Sequence, residues 1–377
     1  MKILVVFIDM IRVNRLKLVN ENIVNETPLD RSLKKLGGTF YTNSFTEGPD
    51  TPRAMATFAT GKSPYKNGCN TRLKWPRDFL KEDLKTVYDI FLEKNYKMTF
   101  FSNPNERECG MYSEKITNLD IHNEDYELDN YLKSLTLEKN HFIFISLPDF
   151  HWSLDDNGYN HFGEKKAFDN ASKSFDLIFN NLNKDDFDHI FLFSDHGFKF
   201  NYEYRSQPKY MLLNEDRLNI LMFHRKKGDE ESIKINNKLC ALSDLYYTFD
   251  EIINDIKSDQ SLFSEKEKKY IVVEDHLNFE ISVNLTVGIW ALVTKDKIYV
   301  RDANNGYLIS KNNETDFGIV NEYDETLKKE STFGIFFKEH QKVNNYKKLI
   351  LKQTKYMHGG ERKKIAKLLR LYHNLKF

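Results

Sequence analysis

Short runs of consecutive apolar residues alternate along this chain with stretches whose apolar positions recur at helical spacing. Ile3–Ile8 (ILVVFI) has no polar face, as expected of a strand covered on both sides. Tyr96–Phe101, Phe142–Leu147 (FIFISL), His189–Phe193 (HIFLF) and Leu218–Phe223 (LNILMF) read as further strands. Helices are predicted over Asp30–Leu36, ended by Gly37-Gly38, over residues 83–94, over Lys165–Leu182, and over Ser243–Ile253 with Ser243 as its cap. This alternation predicts an α/β fold, a sheet between layers of helices. From about residue 270 the texture changes: Tyr270–Val273, Gly288–Thr294 and Lys297–Arg301 read as short strands with polar turns, closer to an antiparallel sheet. The Lys-rich tail 346–377 reads as helix. The expected organisation is a large α/β domain (1–265), a small C-terminal subdomain (266–345) and a basic helical tail (346–377). No repeat or Pro/Gly/Ser linker interrupts it.

Composition narrows the functional classes. Lys+Arg and Asp+Glu both total 56 in 377 residues, which weakens the bulk-electrostatic case for a nucleic acid polymer or an anionic membrane surface as partner and leaves a locally basic groove open. Cys69, Cys109 and Cys240 are widely spaced, so neither a disulfide framework nor a thiolate metal site is expected. The run Ile3–Ile8 is too short for a signal segment, and no apolar stretch approaches the ~18 residues of a membrane span. A cytoplasmic enzyme is the natural expectation; the oligomeric state is not legible.

Three features fall at predicted strand ends, where open α/β sheets place ligands. Asp9 directly follows the first strand and suits a ligand or a turn equally well. Ser194-Asp195-His196-Gly197 follows HIFLF; its hard oxygen beside an imidazole nitrogen suits Zn²⁺ or Mn²⁺, and its glycine permits a sharp turn. The third feature is TPRAMATFATGKSPYKNG (Thr51–Gly68). Small and apolar residues over Pro52–Thr60 predict a helix with Pro at its first position and Thr51 at the N-cap. A hydroxyl there would sit among free backbone N–H groups that favour anions. Arg53 would add a planar fork for non-bridging oxygens.

In this order, Asp9, the Thr51–Gly68 stretch and Asp195-His196 resemble the alkaline phosphatase/sulfatase superfamily. The stretch matches that family's nucleophile helix, with Thr60, Gly61, Lys62, Pro64 and Gly68 at its signature positions and Thr51 at the nucleophile. Later segments are similar too: LNILMFHRKKG, SDLYYTFDEII and VGIWALVTKDKIYVRD look like the strands and helix that follow the metal pair in sulfatases. The resemblance spans most of 1–305. It implies a sandwich of a central mixed sheet between helices with a small C-terminal antiparallel subdomain, and it implies Asp9, Thr51, Asp195 and His196 as metal ligands. FIFISLPDFHW resembles the strand whose end carries a substrate-contacting histidine, here His151. Asp149, His161 and His224 join it as substrate-side candidates, as does Asn103, which stands where sulfatases carry a lysine. The phosphatase branch places an Asp and a His four residues apart to hold a second metal; here Ser153 occupies that histidine position, and His161 is the substitute. His358 is a further candidate in the tail.

Two departures set the expected reaction. Sulfatases oxidise a Cys or Ser to an aldehyde hydrate, a route closed to Thr51 by its β-methyl group, and they carry consecutive aspartates where this chain has Asp9-Met10. The resemblance therefore implies a phosphoryl-transfer enzyme, a hydrolase or phosphotransferase. Its substrate would be a phosphodiester or substituted phosphate of a glycan, nucleotide or lipid-linked intermediate. Catalysis would run through Thr51, Arg53 and His151 with one divalent ion, Mn²⁺ or Zn²⁺ ahead of Mg²⁺ or Ca²⁺, and with a second ion left open. The alternatives are a phosphomonoesterase or sulfatase-like hydrolase, and a catalytically degenerate binding protein.

Overall fold

The chain begins with β1 (Lys2–Ile8), α1 (Pro28–Leu36), β2 (Gly38–Tyr41), β3 (Ser44–Phe45), α2 (Thr51–Thr60), α3 (Pro64–Asn67) and α4 (Val87–Glu93). It continues through β4 (Lys97–Phe101), β5 (Asp120–His122), α5 (Leu128–Ser134), β6 (His141–Leu147), α6 (Asp149–Asn157), α7 (His161–Asn181) and β7 (His189–Phe193). Next come α8 (Glu215–Leu218), β8 (Met222–Lys226), β9 (Ile233–Asn236), β10 (Cys240–Ala241) and α9 (Asp244–Asn254). The last elements are β11 (Ile271–His276), β12 (Gly288–Val293), β13 (Lys297–Arg301), β14 (Gly306–Ser310), β15 (Thr315–Asp316) and α10 (Asn321–Glu330). This computed structural model describes residues 1–69, 81, 83–102, 120–122, 127–198, 213–276, 288–301, 306–310, 315–316, 321–331 and 333. Asn103, His358 and the expected helical tail 346–377 lie outside the described residues.

The central sheet has eight strands in the order β5-β4-β6-β1-β7-β8-β2-β9. β1 runs parallel to both β6 and β7, while β8 runs antiparallel to β7 and β2, so the sheet is mixed. β1 lies in the middle, which is why Ile3–Ile8 lacks a polar face. Leu4, Val6 and Ile8 pack with Leu29 and Leu33 of α1, Phe150 of α6 and Phe175 of α7. Ile3, Val5 and Phe7 pack against Met55 and Phe58 of α2, Phe91 of α4 and Phe249 of α9. Each such buried side chain contributes about 1.5–3 kcal/mol. The fold is thus the α/β sandwich expected.

The second sheet is antiparallel, ordered β11-β12-β13-β14-β15. Val273, Ile289, Ala291 and Val300 pack one face onto Phe45, Leu218 and Ala241 of the first unit, while Trp290 and Leu292 pack the other against Leu327 and Phe333. Among the described residues, no helix is long and apolar enough to cross a membrane.

Several boundaries differ from expectation for local reasons. The helix predicted at 83–94 starts at Val87, because Thr86 and Asp89 form a capping box. The helix predicted from Lys165 starts at His161, where the Asn160 side chain accepts from Phe162 and Gly163 N–H. α9 starts at Asp244, and Ser243 makes no side-chain cap. The strand predicted over Leu218–Phe223 is displaced: Glu215–Leu218 forms a helical turn and β8 begins at Met222. The apolar run there feeds the core from an irregular segment as well as from the strand. α6 was not legible behind the proline that precedes it.

Candidate metal centre and nucleophile

β1, β6 and β7 are neighbours in parallel, with Phe7 paired to Phe193 and Ile8 to Leu147, so the residues just beyond their C-terminal ends converge. Asp9 follows β1, and Asp195-His196 follows β7. One ligand atom from each of Asp9, Asp195 and His196 lies within 4.8 Å of the others. Donors on a single ion stand at most about two bond lengths apart, ~4–5 Å, so this spread fits one cation.

The surrounding hydrogen bonds leave one lone pair free on each of the three. Asp195 Oδ1 accepts from Met10 N–H at 3.0 Å and His196 N–H at 2.8 Å. Asp195 Oδ2 is buried without a hydrogen-bond partner, with His196 Nε2 3.3 Å away. Asp9 Oδ2 lies 2.8 Å from His151 Nδ1, while Asp9 Oδ1 is buried and unpartnered. His196 Nδ1 donates to the Gly197 carbonyl at 2.7 Å, which fixes the tautomer and leaves Nε2 facing the carboxylates. A ligating histidine commonly donates its other N–H to a backbone carbonyl in this way. Orphaned buried oxygens beside a free imidazole nitrogen fit a divalent cation of the Zn²⁺ or Mn²⁺ type.

The electrostatics agree. Burial opposes ionisation of Asp9, but the His151 hydrogen bond and charge, helped by His196, hold its carboxyl below the ordinary range. Burial pushes the Asp195 carboxyl up, with His196 opposing and Asp9 adding to the rise. Two adjacent buried carboxylates cannot both stay ionised without positive charge between them. Local backbone geometry aims them: Met10 takes a left-handed φ of 60°, uncommon for a side chain of its size. Gly197 serves close approach rather than a positive φ, since a Cβ there would come within 2.1 Å of the Asp216 carbonyl.

Thr51 is the first residue of α2, and Asp50 is the N-cap, its Oδ1 accepting from Arg53 N–H at 3.1 Å. The expected N-cap role for Thr51 is therefore corrected. Because Asp50 meets the capping requirement, the Thr51 hydroxyl is not needed as a cap, and it lies near enough to Asp195 to favour that carboxyl's ionised form. Arg53 is also corrected. It is 2% exposed; Nη1 donates to the Glu274 carbonyl at 2.8 Å, Nη2 to Asp275 Oδ1 at 2.8 Å, and its fork also pairs with Asp50. Burial opposes its charge, but Asp50 and Asp275 raise its affinity for the proton above the usual value. Arg53 thus anchors α2 to β11 and presents no fork to a substrate.

His151 is part-exposed at the cluster, and burial is outweighed by the Asp9 bond, so its imidazole is pushed up to about 9. Asp149 is turned toward α7, where Oδ1 accepts from Ser174 Oγ at 2.8 Å. His161 starts α7 largely exposed, with Nδ1 3.8 Å from Glu164 on the flank of that helix. The two residues expected around a second ion are thus held elsewhere. His224 belongs to no substrate site: it pairs with Phe191 across β7–β8, and its Nε2 lies 3.0 Å from His189 Nδ1 in the buried sheet. Sequence reasoning missed Asp155, whose Oδ2 is 3.6 Å from His151 Nε2. The four-residue spacing signals that pair once α6 is recognised. It also missed Asp275 and Arg217 (Nη1 to Oδ2, 2.6 Å), distant in sequence and without a local signal.

No family model matches the chain, and no curated protein matches it. Solved structures do. A 2-O GAG sulfatase aligns over 94% of this chain and 92% of its own at 13% identity, with a TM-score of 0.64. A protein of the alkaline phosphatase superfamily from Vibrio parahaemolyticus aligns over 91% and 87% at 11% identity, TM-score 0.60. The phosphonate monoester hydrolase of Agrobacterium radiobacter aligns over 82% and 89% at 11% identity, TM-score 0.58. The fold is that of the alkaline phosphatase/sulfatase superfamily.

Proposed function

We propose that this chain is a metal-dependent phosphoryl-transfer enzyme with Thr51 as nucleophile. The carrying observation is Thr51, relieved of capping by Asp50 at the start of α2 and near Asp195 of the Asp9–Asp195–His196 cluster. A divalent cation held by those three residues would polarise a phosphoryl oxygen and lower the proton affinity of the Thr51 hydroxyl. Thr51 Oγ1 attacks phosphorus in line as its proton passes to solvent, the bond to the leaving oxygen breaks, and a phospho-threonine diester that keeps the second substituent forms. The N-terminus of α2 favours the negative charge gathered there. His151 stands on the other side of Asp9 and supplies the proton for the leaving oxygen. Water then attacks this phosphorus in a hydrolase, freeing Thr51 and a phosphate monoester; in a phosphotransferase an acceptor hydroxyl attacks instead, freeing Thr51 and carrying the phosphoryl group away as a new ester.

The cation inventory supports a diester or substituted phosphate of a glycan, nucleotide or lipid-linked intermediate. Arg53, the expected fork, is neutralised by Asp50 and Asp275. A singly charged diester needs less positive charge than a monoester carrying close to two. Kinetics of Thr51→Ala and Thr51→Ser on bis-p-nitrophenyl phosphate with Mn²⁺ or Zn²⁺ test the nucleophile. Thr51→Ala should abolish turnover without loss of fold, and Thr51→Ser should retain part of it. Full activity in the alanine variant would remove Thr51 from the mechanism. Inactivity of the wild type on both nitrophenyl mono- and diesters would leave a transferase awaiting its acceptor or a binding protein.

A further inference from the structure

A cavity of about 290 Å³ lies between Gly61, the start of α9 and β11. Neither Thr51 nor any of Asp9, Asp195 and His196 lines it. Glu47 is only 5% exposed and forms part of its wall. Glu47 Oε1 accepts a long bond from Ser243 N–H at 3.4 Å, while Oε2 is buried with no hydrogen-bond partner. Ser63 Oγ, on the same wall, is likewise buried and unpartnered. Such atoms carry an unmet desolvation cost unless something enters to bond them.

The lining also indicates what enters. Lys268 is held by Asp244 at 2.9 Å and Lys66 by Glu330 at 3.0 Å, so their charges are balanced. Glu47 and Lys62 remain, one of each sign. A cationic ligand would meet Lys62 and an anionic one the Glu47 carboxylate whenever it is ionised, whereas a neutral ligand with many hydroxyls meets donors and acceptors in either state of Glu47. Burial, opposed by the Ser243 bond and reinforced by Asp244, pushes the Glu47 carboxyl up to about 7, so near neutrality it can accept from or donate to a hydroxyl. Tyr247 and Tyr270 add aromatic carbon to a lining that is otherwise mainly polar. At ~30 Å³ per water the space equals about ten waters, enough for one sugar ring.

We propose that this cavity binds one ring of a neutral polyhydroxylated ligand, a sugar or cyclitol, with Glu47 and Ser63 bonding its hydroxyls and the tyrosines packing its C–H face. The inference does not depend on the proposed chemistry at Thr51. Saturation-transfer NMR and calorimetry on the full chain, with methyl α-glucoside, methyl α-galactoside, N-acetylglucosamine and myo-inositol, test it; sodium phosphate and methylammonium serve as charged probes. At least one neutral probe should bind with a millimolar Kd. Glu47→Leu should weaken that binding at least about tenfold, ~1.4 kcal/mol. Tyr270→Ala, at a more exposed position, should weaken it several-fold, and Thr51→Ala should leave it unchanged. The proposal is overturned if no neutral probe binds, if only phosphate or methylammonium does, if affinity survives both Glu47→Leu and Tyr270→Ala, or if Thr51→Ala abolishes it.

Discussion

Asp275→Asn removes one charge from the ion-pair group that fixes the start of α2 to the C-terminal sheet. Asp275 is 1% exposed and accepts from Arg53 at 2.8 Å and from Arg217 at 2.6 Å. Without its carboxylate, two guanidinium groups are left with Asp50 as their remaining anion in the group and with the Glu274 and Pro49 carbonyls. Breaking a buried pair by deleting one partner costs about 3–5 kcal/mol. An unfolding entropy of about 2.1 cal/mol/K per residue gives ~0.8 kcal/mol/K for a chain of this length, so Tm should fall by about 4–6 °C. Because Arg53 sits two residues from Thr51, kcat/KM should fall at least about tenfold, ~1.4 kcal/mol of transition-state stabilisation. Mn²⁺ affinity should stay within a factor of about two or three, because no metal-ligand candidate belongs to the group. Scanning calorimetry, metal titration and kinetics on the same preparation give all three values. A stability loss under about 1 kcal/mol, the scale of an exposed pair, would refute the claim that this group clamps α2.

Acid should destabilise the fold through its buried histidines. Glu138 N–H donates to His141 Nδ1 and Thr99 Oγ1 lies 2.6 Å from Nε2, while His189 and His224 face each other. Burial first, then Lys97 for His141 and Lys226 for His189, lowers both imidazoles to about 4, and His224 is also depressed. Below pH 6.5 the unfolded chain therefore binds more protons, and stability is lost as pH falls from about 6.5 towards 4, by about 1–2 kcal/mol for each of His141 and His189 at pH 5. The raised carboxyls of Asp195, Glu47 and Asp244 gain stability over the same window, so the test is the difference between wild type and His141→Gln/His189→Gln; an identical change in urea midpoint from pH 7 to 5 in the two proteins would contradict this. Gly197→Ala forces a Cβ to within 2.1 Å of the Asp216 carbonyl, so Mn²⁺ affinity should drop at least tenfold; retained affinity would show that the segment after His196 moves freely. In side-by-side kinetics, bis-p-nitrophenyl phosphate should outpace the monoester in kcat/KM, and a monoester advantage above about tenfold would overturn the diester assignment.

The buried strands and the order Asp9, Thr51, Asp195-His196 could be read from sequence because each is local. An unbroken apolar run marks a strand with both faces covered, and a polar residue at its end marks the sheet's ligand edge. What escaped depends on distant partners. Arg53 looks like a free fork in TPRAM, and its pairing with Glu274 and Asp275, more than two hundred residues later, shows that it is an anchor. Thr51 looks like a cap until Asp50 is seen in extended geometry before it. His224 shares the alphabet of a ligand but sits two residues inside the β7–β8 pairing, where alternation places it within the sheet. His161 and Asp149 flank the site in sequence, yet the α6–α7 packing turns them to Glu164 and Ser174.

Titrating Mn²⁺ calorimetrically into chelator-stripped protein, wild type beside Asp9→Asn and Asp195→Asn, tests the central claim that Asp9, Asp195 and His196 form one metal centre next to Thr51. The account predicts one ion per wild-type chain and at least tenfold weaker binding in each variant, ~1.4 kcal/mol, with the fold intact. A wild type that binds no divalent ion, or variants that bind it as tightly as the wild type, would contradict it.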